Sequence, residues 1–276
     1  MGAGVLAGAE LRCPLCGSTR IEELFRNALK CSECKLIFIN ISELDLEKIY
    51  DSNYFKGKVY RDYMREAPIR LKIFREKLRL IREYLPDSGK LLDVGAAAGF
   101  FLEAVKELKY ETYGVEISEY ASSFARSQFK HNIVTGDFLK IDLPEDYFNV
   151  VTMWDILEHF VNPFEALKKS YKILKNNGVL VVETLNTDTL LFKILRDRWP
   201  LFAPPYHLYY FNKRNLTLAL ENSGFNVIKA IPIQTYIPYM RESMKFIPFR
   251  YFKFPLIRTI LGLLLDDVIL VISKKV

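Results

Sequence analysis

Four cysteines lie close together near the start of the chain, in two pairs of equal spacing. Cys13 and Cys16 form the first Cys-x-x-Cys pair, and Cys31 and Cys34 form the second, fourteen residues later. Two such turns allow four thiolates to converge on one tetrahedral metal ion. Thiolate-only sites suit zinc, with iron as the second choice. The spacing therefore predicts a small zinc ribbon; a redox dithiol or four unrelated thiols are the alternatives.

A glycine-rich turn follows a short apolar stretch that ends at Asp93. Gly95 and Gly99 enclose three alanines, and Phe100 begins a helical pattern. Small residues let a ligand approach the backbone, and the start of a helix offers free N–H groups. A dinucleotide site is one interpretation of such a turn, although the Gly-x-x-x-Gly spacing differs from Gly-x-Gly-x-x-Gly. The turn thus predicts a ligand site at the end of a strand.

Polar side chains also end the next two predicted strands. Glu116 follows Asp93 by 23 positions, and a carboxylate there can accept hydrogen bonds from both hydroxyls of a ribose. Asp137 and Phe138 follow the third strand, where they can hold the edge and the face of an adenine. A turn-capping role is the alternative for Asp137. Together these residues favour a nucleoside-containing ligand.

The chain has three histidines, and each has a different setting. His131 lies in a polar turn and is expected at the surface. His207 follows the predicted fifth strand, between a proline pair and an aromatic run, in a segment expected to form a lid. An imidazole is neutral and basic near physiological pH. His207 is therefore a candidate general base, with a buried structural role as the alternative.

The elements that must position these residues alternate between strands and helices from residue 90 onward. This alternation predicts an α/β fold with a mainly parallel sheet and helices on both faces. A further helix is expected at 68–85, where apolar residues fall on one face and several arginines elsewhere. Strands are predicted at 90–95, 111–117, 132–138, 148–155, 178–186, 225–233 and 267–275, with helices at 99–110, 118–129, 162–178 and 215–225.

The composition is that of a globular protein. Hydrophobic residues make up 50% and charged residues 26% of 276 residues, which excludes a disordered chain, a collagen and a coiled coil. The net charge of +6 is too small to indicate nucleic-acid binding by itself.

No signal peptide or membrane span is predicted, so a cytoplasmic location is expected. Aromatic and basic residues at 189–206 and 244–265 suit peripheral membrane contact, an apolar acceptor pocket or a dimer face.

Taken in order, these stretches resemble the class I S-adenosylmethionine-dependent methyltransferases. The resemblance covers about residues 88–230 and the final strand, and it implies a Rossmann-like, seven-stranded, mainly parallel sheet. With the cysteine ribbon, the chain is similar to a bacterial and archaeal subgroup linked with surface-polysaccharide or secondary biosynthesis. It also resembles the methyltransferase type 11/23 and ubiquinone O-methyltransferase groups. The stretches that carry the resemblance are 91–101, 113–118, 136–138, 148–159 and 174–184.

The resemblance implies a role for each residue that matches the family pattern. One group of residues holds the methionine end of the cofactor, a second the ribose and adenine, and a third closes the pocket. Ala97 departs from the family, which usually has glycine there. The first group comprises Asp93, Gly95, Ala97, Gly99 and Phe100; the second Glu116, Ile117, Asp137 and Phe138; the third Trp154 and Asp155.

Further catalytic candidates follow from the same resemblance. Glu158 and His159 come directly after the fourth strand of the methyltransferase sheet. In the ubiquinone-type relatives an acidic, acidic, histidine pattern here is linked to a divalent metal, and Asp155 takes the place of the first acid. Helix capping and packing are the alternative roles for His159.

The predicted domains are a zinc ribbon at 1–42, a helical linker and cofactor-pocket cover at 43–87, and a methyltransferase domain at 88–276 with an insert at 234–265. The predicted function is methyl transfer from S-adenosylmethionine to a small-molecule, sugar or lipid-linked acceptor. One alternative is an RNA methyltransferase that grips phosphates with the ribbon and the basic helix at 68–85. A second is a cofactor-binding scaffold without catalysis. No nucleic-acid partner is expected, and the oligomeric state is left open.

Overall fold

A computed structural model describes residues 11–40, 67–233 and 266–276. The predicted insert at 234–265 and residues 43–66 of the predicted cover at 43–87 lie outside these residues. The described strands form two sheets, one small and one large. In chain order they are β1 (Ile21–Glu23), β2 (Ala28–Cys31), β3 (Ile37–Ile39), β4 (Ser88–Val94), β5 (Lys109–Glu116), β6 (Asn132–Thr135), β7 (Phe148–Trp154), β8 (Leu174–Leu185), β9 (Tyr209–Tyr210), β10 (Phe225–Ile233) and β11 (Val268–Lys275).

The large sheet has seven strands in the order β10-β11-β8-β7-β4-β5-β6. The five strands from β8 to β6 are parallel, and β11 runs antiparallel to both of its neighbours. This confirms the seven-stranded, mainly parallel sheet. The chain leaves β4 toward β5 and β6 and then returns to β7 on the other side of β4. Ligands of open α/β sheets bind at such a switch point, beyond the carboxyl ends of the strands.

Helices cover both faces of the large sheet, as expected. Alternate residues of the central strands pack on opposite sides, so Leu91 and Leu92 belong to different apolar clusters. One cluster includes residues of the helices α1 (Ala67–Ile81), α2 (Phe100–Ala104) and α3 (Glu119–Phe129), and the other includes residues of α4 (Pro163–Ile173) and α6 (Lys213–Asn222). Between α4 and α6 the chain forms the helix α5 (Leu190–Leu195).

Local capping explains where several helices begin. The Ser118 side chain accepts a hydrogen bond from the Ala121 N–H at the start of α3. Asn162 caps α4, whose first residue is proline. Asn212 and Asn215 cap α6 reciprocally, each side chain accepting from the backbone N–H of the other. These signals are readable from the sequence, because Ser and Asn favour the N-cap and proline favours the first turn.

The small antiparallel sheet contains the cysteine-bearing segment and one strand from much later in the chain. Its order is β1-β2-β3-β9, so Ile37 lies opposite Tyr210 and Phe38 opposite Tyr209. An apolar cluster lies between this sheet and the large one, and it includes Ile37, Ile39 and Trp199. The cysteine ribbon is thus joined to the large sheet's domain by hydrogen bonds as well as by packing.

No helix within 11–40, 67–233 or 266–276 is long and apolar enough to cross a membrane.

Candidate active site

The glycine-rich turn lies at the switch point, between the end of β4 and the start of α2. Gly95 and Gly99 have φ angles of +73° and +78°, and Ala97 has +46°. A Cβ atom at Gly95 would lie 2.7 Å from Cγ1 of Ile156, on the segment that follows β7. Glycine is therefore required at Gly95 by both backbone conformation and close packing. The left-handed φ of Ala97 explains why the family usually has glycine there.

Glu116 ties this turn to the neighbouring strand β5. Its Oε2 accepts a hydrogen bond from the Ala97 N–H at 2.8 Å, and its Oε1 accepts one from the Ser118 N–H at 2.8 Å. The side chain is buried, and burial raises the pKa of Glu116 above the usual carboxyl range. Each carboxylate oxygen retains a second lone pair, so the group can also accept from a ribose hydroxyl. The ribose contact of Glu116 stays a prediction.

Asp93 is buried at the end of β4 and faces the adjacent strand β7. Its Oδ1 accepts a hydrogen bond from the Thr152 hydroxyl at 2.7 Å. Burial raises the pKa of Asp93 to about 8, and the nearby charge of Glu116 acts in the same direction. A buried acid of this kind becomes favourably charged when a cation binds beside it. The α-ammonium and sulfonium groups of S-adenosylmethionine are such cations, so the residues present fit the cofactor.

The side chains predicted to meet the adenine fall into two kinds. Ile117 is 51% exposed, so it presents an apolar surface on which a flat ring can pack. Asp137 uses Oδ1 to accept from the Leu139 N–H at 2.9 Å, which is the turn-capping geometry. Phe138 is only 3% exposed and its ring lies 6.1 Å from that of Phe160. Phe138 is therefore a core side chain and offers no open face on which a ring could stack.

Two further predicted cofactor residues also lie in the core. Phe100 is buried, with its ring 6.0 Å from that of Phe129. Trp154 is 7% exposed, and its ring lies 4.9 Å from Phe101 and 5.8 Å from Phe74 of α1. The expectation that Trp154 closes the pocket gives way to a packing role, because α1 covers the strand end where it lies.

A cleft of about 200 Å³ opens beside this cradle, at the carboxyl ends of β7 and β8. Asp155 follows β7 directly, and it adopts a left-handed φ of +48° that turns the chain. Two leucines and one valine supply the apolar part of the cleft lining, called here the apolar wall, and ionisable groups supply the rest. The lining residues are Asp155, Glu158, His159, Leu185, Leu201, His207 and Val268. Three of the four ionisable residues are the predicted catalytic candidates.

The two histidines of the cleft are each held by a backbone carbonyl. Nδ1 of His159 lies 2.9 Å from the Tyr206 oxygen, and Nδ1 of His207 lies 2.7 Å from the Leu201 oxygen. Because a carbonyl only accepts, each Nδ1 carries the proton, and each Nε2 is the acceptor. The two rings are in edge contact, with centroids 4.8 Å apart. Burial lowers the pKa of both imidazoles, and His207 lowers that of His159 further.

Glu158 is the buried carboxyl of the cleft. Its Oε2 accepts a hydrogen bond from the Thr184 hydroxyl at 2.7 Å. Burial raises the pKa of Glu158 to about 8, and the charge of Asp155 adds to the effect. Ligand atoms of Glu158, His159 and His207 all lie within 4.8 Å of one another. A carboxylate and two imidazoles suit a divalent transition metal, so the donor set fits such an ion with His207 where the resemblance placed Asp155.

The four cysteines converge as predicted. Sγ of Cys13 lies 3.5 Å from that of Cys34, and Sγ of Cys16 lies 3.5 Å from that of Cys31. All four sulfur atoms lie within 4.8 Å of one another. A tetrahedral zinc with 2.3 Å bonds requires sulfur atoms about 3.8 Å apart. The thiols therefore fit a single zinc ion.

Several residues of the site are not marked in the sequence. Lys77 of α1 and Glu183 of β8 form a buried ion pair behind the cleft. Ile156 packs on Gly95, and Leu201 supplies both a wall and the carbonyl that holds His207. The prediction that His131 lies at the surface is wrong. Its ring packs beneath Gly99, and its Nε2 lies 3.6 Å from the Glu103 carboxylate. The sequence does not mark Lys77 as buried, because one more lysine on a helix rich in basic residues leaves the periodic pattern of apolar residues unchanged.

The fold and the site together define a class I S-adenosylmethionine-dependent methyltransferase. The family model described as a methyltransferase domain matches residues 60–230, and the chain belongs to this family.

Relatives of known name agree with this class. A ubiquinone biosynthesis O-methyltransferase of Pelagibacter ubique is 27% identical over 209 residues, which are 64% of this chain and 86% of that protein. The protein of the same name in Bradyrhizobium diazoefficiens is 29% identical over 154 residues, 49% of this chain and 60% of that protein. A solved methyltransferase from Archaeoglobus fulgidus shares the fold with a TM-score of 0.56, at 23% identity, over 77% of this chain and 99% of that one.

Proposed function

We propose that the chain transfers a methyl group from S-adenosylmethionine to a hydroxyl of a small-molecule, sugar or lipid-linked acceptor. The observation that carries this proposal is the pair of neutral imidazoles in a cleft next to the cofactor cradle. The resemblance to O-methyltransferases of ubiquinone biosynthesis supports an oxygen acceptor. The apolar wall of Leu185, Leu201 and Val268 favours an acceptor with a ring or hydrocarbon part.

The bound cofactor supplies an electrophilic methyl group on a sulfonium. His207 accepts the acceptor's hydroxyl proton at Nε2, because its Nδ1 proton is donated to the Leu201 carbonyl. Held by the glycine-rich turn, Asp93 and Glu116, the cofactor would supply its methyl group to that oxygen, and its sulfonium would become the neutral thioether of S-adenosylhomocysteine. Burial lowers the pKa of His207, so the imidazole is unprotonated at physiological pH and can accept a proton. The cleft holds the acceptor in line, and such orientation can contribute about 7–11 kcal/mol.

One acidic side chain of the cleft argues against an RNA acceptor. The exposed carboxyl group of Asp155 lines the cleft, where it would repel a phosphate backbone. We further propose that the four cysteines hold structural zinc. Thiols that must stay reduced to bind metal favour a cytoplasmic protein.

The test is methyl transfer by the purified protein from labelled S-adenosylmethionine to extracts and to a panel of phenols, sugars and lipid-linked sugars. Once a product is found, His207→Gln is compared with wild type, with Arg214→Gln on the exposed start of α6 as the control. We expect turnover to fall by about 10²–10⁴-fold in His207→Gln. Affinity for S-adenosylhomocysteine should stay unchanged.

Two outcomes would contradict the proposal. Near-normal turnover in a stable His207→Gln protein would remove the base assignment. Methylation of RNA alone, with binding that weakens steeply with salt, would favour the nucleic-acid function instead.

A further inference from the structure

The backbone of the cysteine ribbon connects directly to the catalytic segment. The Ile39 N–H donates to the Leu208 carbonyl at 2.9 Å, next to the pairing of β3 with β9. The Leu208 N–H donates in turn to the Glu158 carbonyl at 2.8 Å. Leu208 therefore links the ribbon to one cleft residue by a hydrogen bond, and to His207 as its neighbour in the chain.

The side chains of the ribbon also support the cleft from behind. Ile37, Ile39 and Ala28 share one buried cluster with Leu185 and Leu201, which are the two leucines of the cleft wall. Since side chains alternate along a strand, Phe38 points the other way and packs in the main core with three of the cysteines. The third strand of the ribbon thus contacts the acceptor wall on one face and the metal-binding turns on the other.

Two more contacts fix the position of the segment between Leu201 and Tyr210. The ring of Phe25, in the turn between β1 and β2, lies 5.0 Å from that of Phe202. Arg26 in the same turn pairs with Asp197 at 3.3 Å. Leu201 is next to Phe202, and its carbonyl holds His207. Both ends of the catalytic segment therefore rest on the ribbon.

We propose that the metal-loaded ribbon packs behind the apolar wall of the acceptor cleft, holds that wall in place and positions His207. This inference rests on the proposed function, because it assigns the cleft to the acceptor. The strands β1 to β3 have only three or four residues each, too few to stay folded without a cross-link. Loss of the metal should therefore release the wall and His207. The cofactor cradle, on β4 and β5 beyond β7 and β8, should remain intact.

The chain contains two natural reporters for this distinction. It has only two tryptophans. Trp199 is buried in the ribbon cluster, with its ring 5.2 Å from that of Phe192. Trp154 belongs to a different buried cluster, where it packs against α1 and α2. Trp154→Phe and Trp199→Phe proteins therefore each report on one region by fluorescence.

The experiment removes the metal from both single-tryptophan proteins by dialysis against a zinc chelator and then restores zinc. We expect one zinc per chain at the start, and a reversible red shift and greater acrylamide quenching for Trp199 alone. Affinity for S-adenosylhomocysteine, measured by calorimetry, should stay within about two-fold. With ¹⁵N-labelled histidine, His207 should change from a single Nδ1–H tautomer to an averaged signal. Three histidines make this spectrum assignable.

Ile39→Ala provides a second route that leaves the four cysteines in place. It should loosen Trp199 and His207 with zinc still bound, whereas Ile272→Ala, an equally buried change in β11, should affect neither. The proposal fails if the purified protein holds no metal, or if Trp199 and His207 are unchanged after metal removal. It also fails if both tryptophans respond equally to Ile39→Ala. If the zinc-loaded wild type does not bind S-adenosylhomocysteine at all, that result would instead contradict the methyltransferase function itself.

Discussion

Glu116 combines a structural and a binding role at the end of β5. Its two oxygens already accept from the Ala97 and Ser118 N–H groups, so the glycine-rich turn and α3 meet on one carboxylate. A ribose would use the remaining lone pairs. This dual role means that the charge and the shape of the side chain contribute separately.

The first prediction separates these two contributions. Glu116→Gln should weaken S-adenosylhomocysteine binding by about ten- to a hundred-fold, because hydrogen bonds to a charged group contribute about 1.5–3 kcal/mol. Glu116→Ala should weaken binding further, since it also leaves two backbone N–H groups unpaired. Calorimetry measures both. Glu119→Ala, a nearby carboxylate that is exposed at the start of α3, is the control; equal affinity in Glu116→Gln and wild type would refute the ribose contact.

At the scale of elements, α1 is fastened to the large sheet by one buried ion pair. Lys77 donates to Oε1 of Glu183, and both side chains are almost fully buried. The ammonium also lies 5.2 Å from the ring of Trp154. Burial acts to raise the pKa of Glu183, and the Lys77 ammonium opposes that shift and favours the charged carboxylate. A buried pair adds little net stability, but breaking it by removing one partner is costly.

We therefore predict that Lys77→Ala lowers the free energy of unfolding by about 3–5 kcal/mol, because an unpaired carboxyl remains in the core. The double variant Lys77→Met with Glu183→Gln should recover most of that loss. Lys72→Ala, on the exposed side of the same helix, should change stability by less than about 0.5 kcal/mol. Urea unfolding followed by circular dichroism gives these values. A double variant as unstable as Lys77→Ala would contradict the ion-pair explanation.

The alternation of strands and helices was predictable because apolar runs and helical periodicity are local. β4 to β8, β10 and β11 and the helices α1, α3, α4 and α6 lie close to their predicted positions. The predicted helix at 99–110 is an exception: α2 ends at Ala104 and β5 begins at Lys109, so turns occupy part of it. Its apolar residues Phe101, Leu102 and Val105 are buried in the core, which fits a helical pattern but does not fix its length.

The pairing of β3 with β9 could not be predicted from local patterns. Tyr209 and Tyr210 form a strand of two residues, too short to show alternation. The burial of His131 was missed for a similar reason, since its contact with Gly99 depends on the position of α2. Asp93, Glu116 and Trp154 lie at the carboxyl ends of their strands, as the sequence indicates, but local patterns do not show that Phe138 and Trp154 turn into the core.

At the scale of the whole molecule, several buried carboxyls have raised pKa values. Asp93 and Glu158 each have a pKa of about 8, chiefly because of burial. Such groups hold protons in the folded state that the unfolded chain has released above pH 4. Stability of the ligand-free protein therefore falls as pH rises toward 8. The histidines, whose pKa values are lowered, act mainly below pH 6.5 and do not obscure a measurement above pH 7.

The third prediction tests this for Asp93. Between pH 7 and pH 8, the melting temperature of the ligand-free wild type should fall more steeply than that of Asp93→Asn, which has no proton to lose. Binding of S-adenosylhomocysteine, which carries an α-ammonium group, should tighten over the same range in the wild type, since the Asp93 carboxylate is then charged. Differential scanning fluorimetry and calorimetry measure the two effects. If the melting temperatures of the two proteins fall equally between pH 7 and pH 8, Asp93 is already ionised at pH 7 and the prediction is wrong.

The pairing of β3 with β9 has a consequence for synthesis on the ribosome. About 170 residues separate Phe38 from its partner Tyr209. At roughly 5–20 residues per second, the ribbon emerges on the order of ten to thirty seconds before that partner strand exists. During this interval the edge of β3 and the apolar side chains of Ile37 and Ile39 have no cover from the later chain. The nascent protein thus passes through a period in which its first folded unit is exposed to wrong pairing, and molecular chaperones would act at that stage.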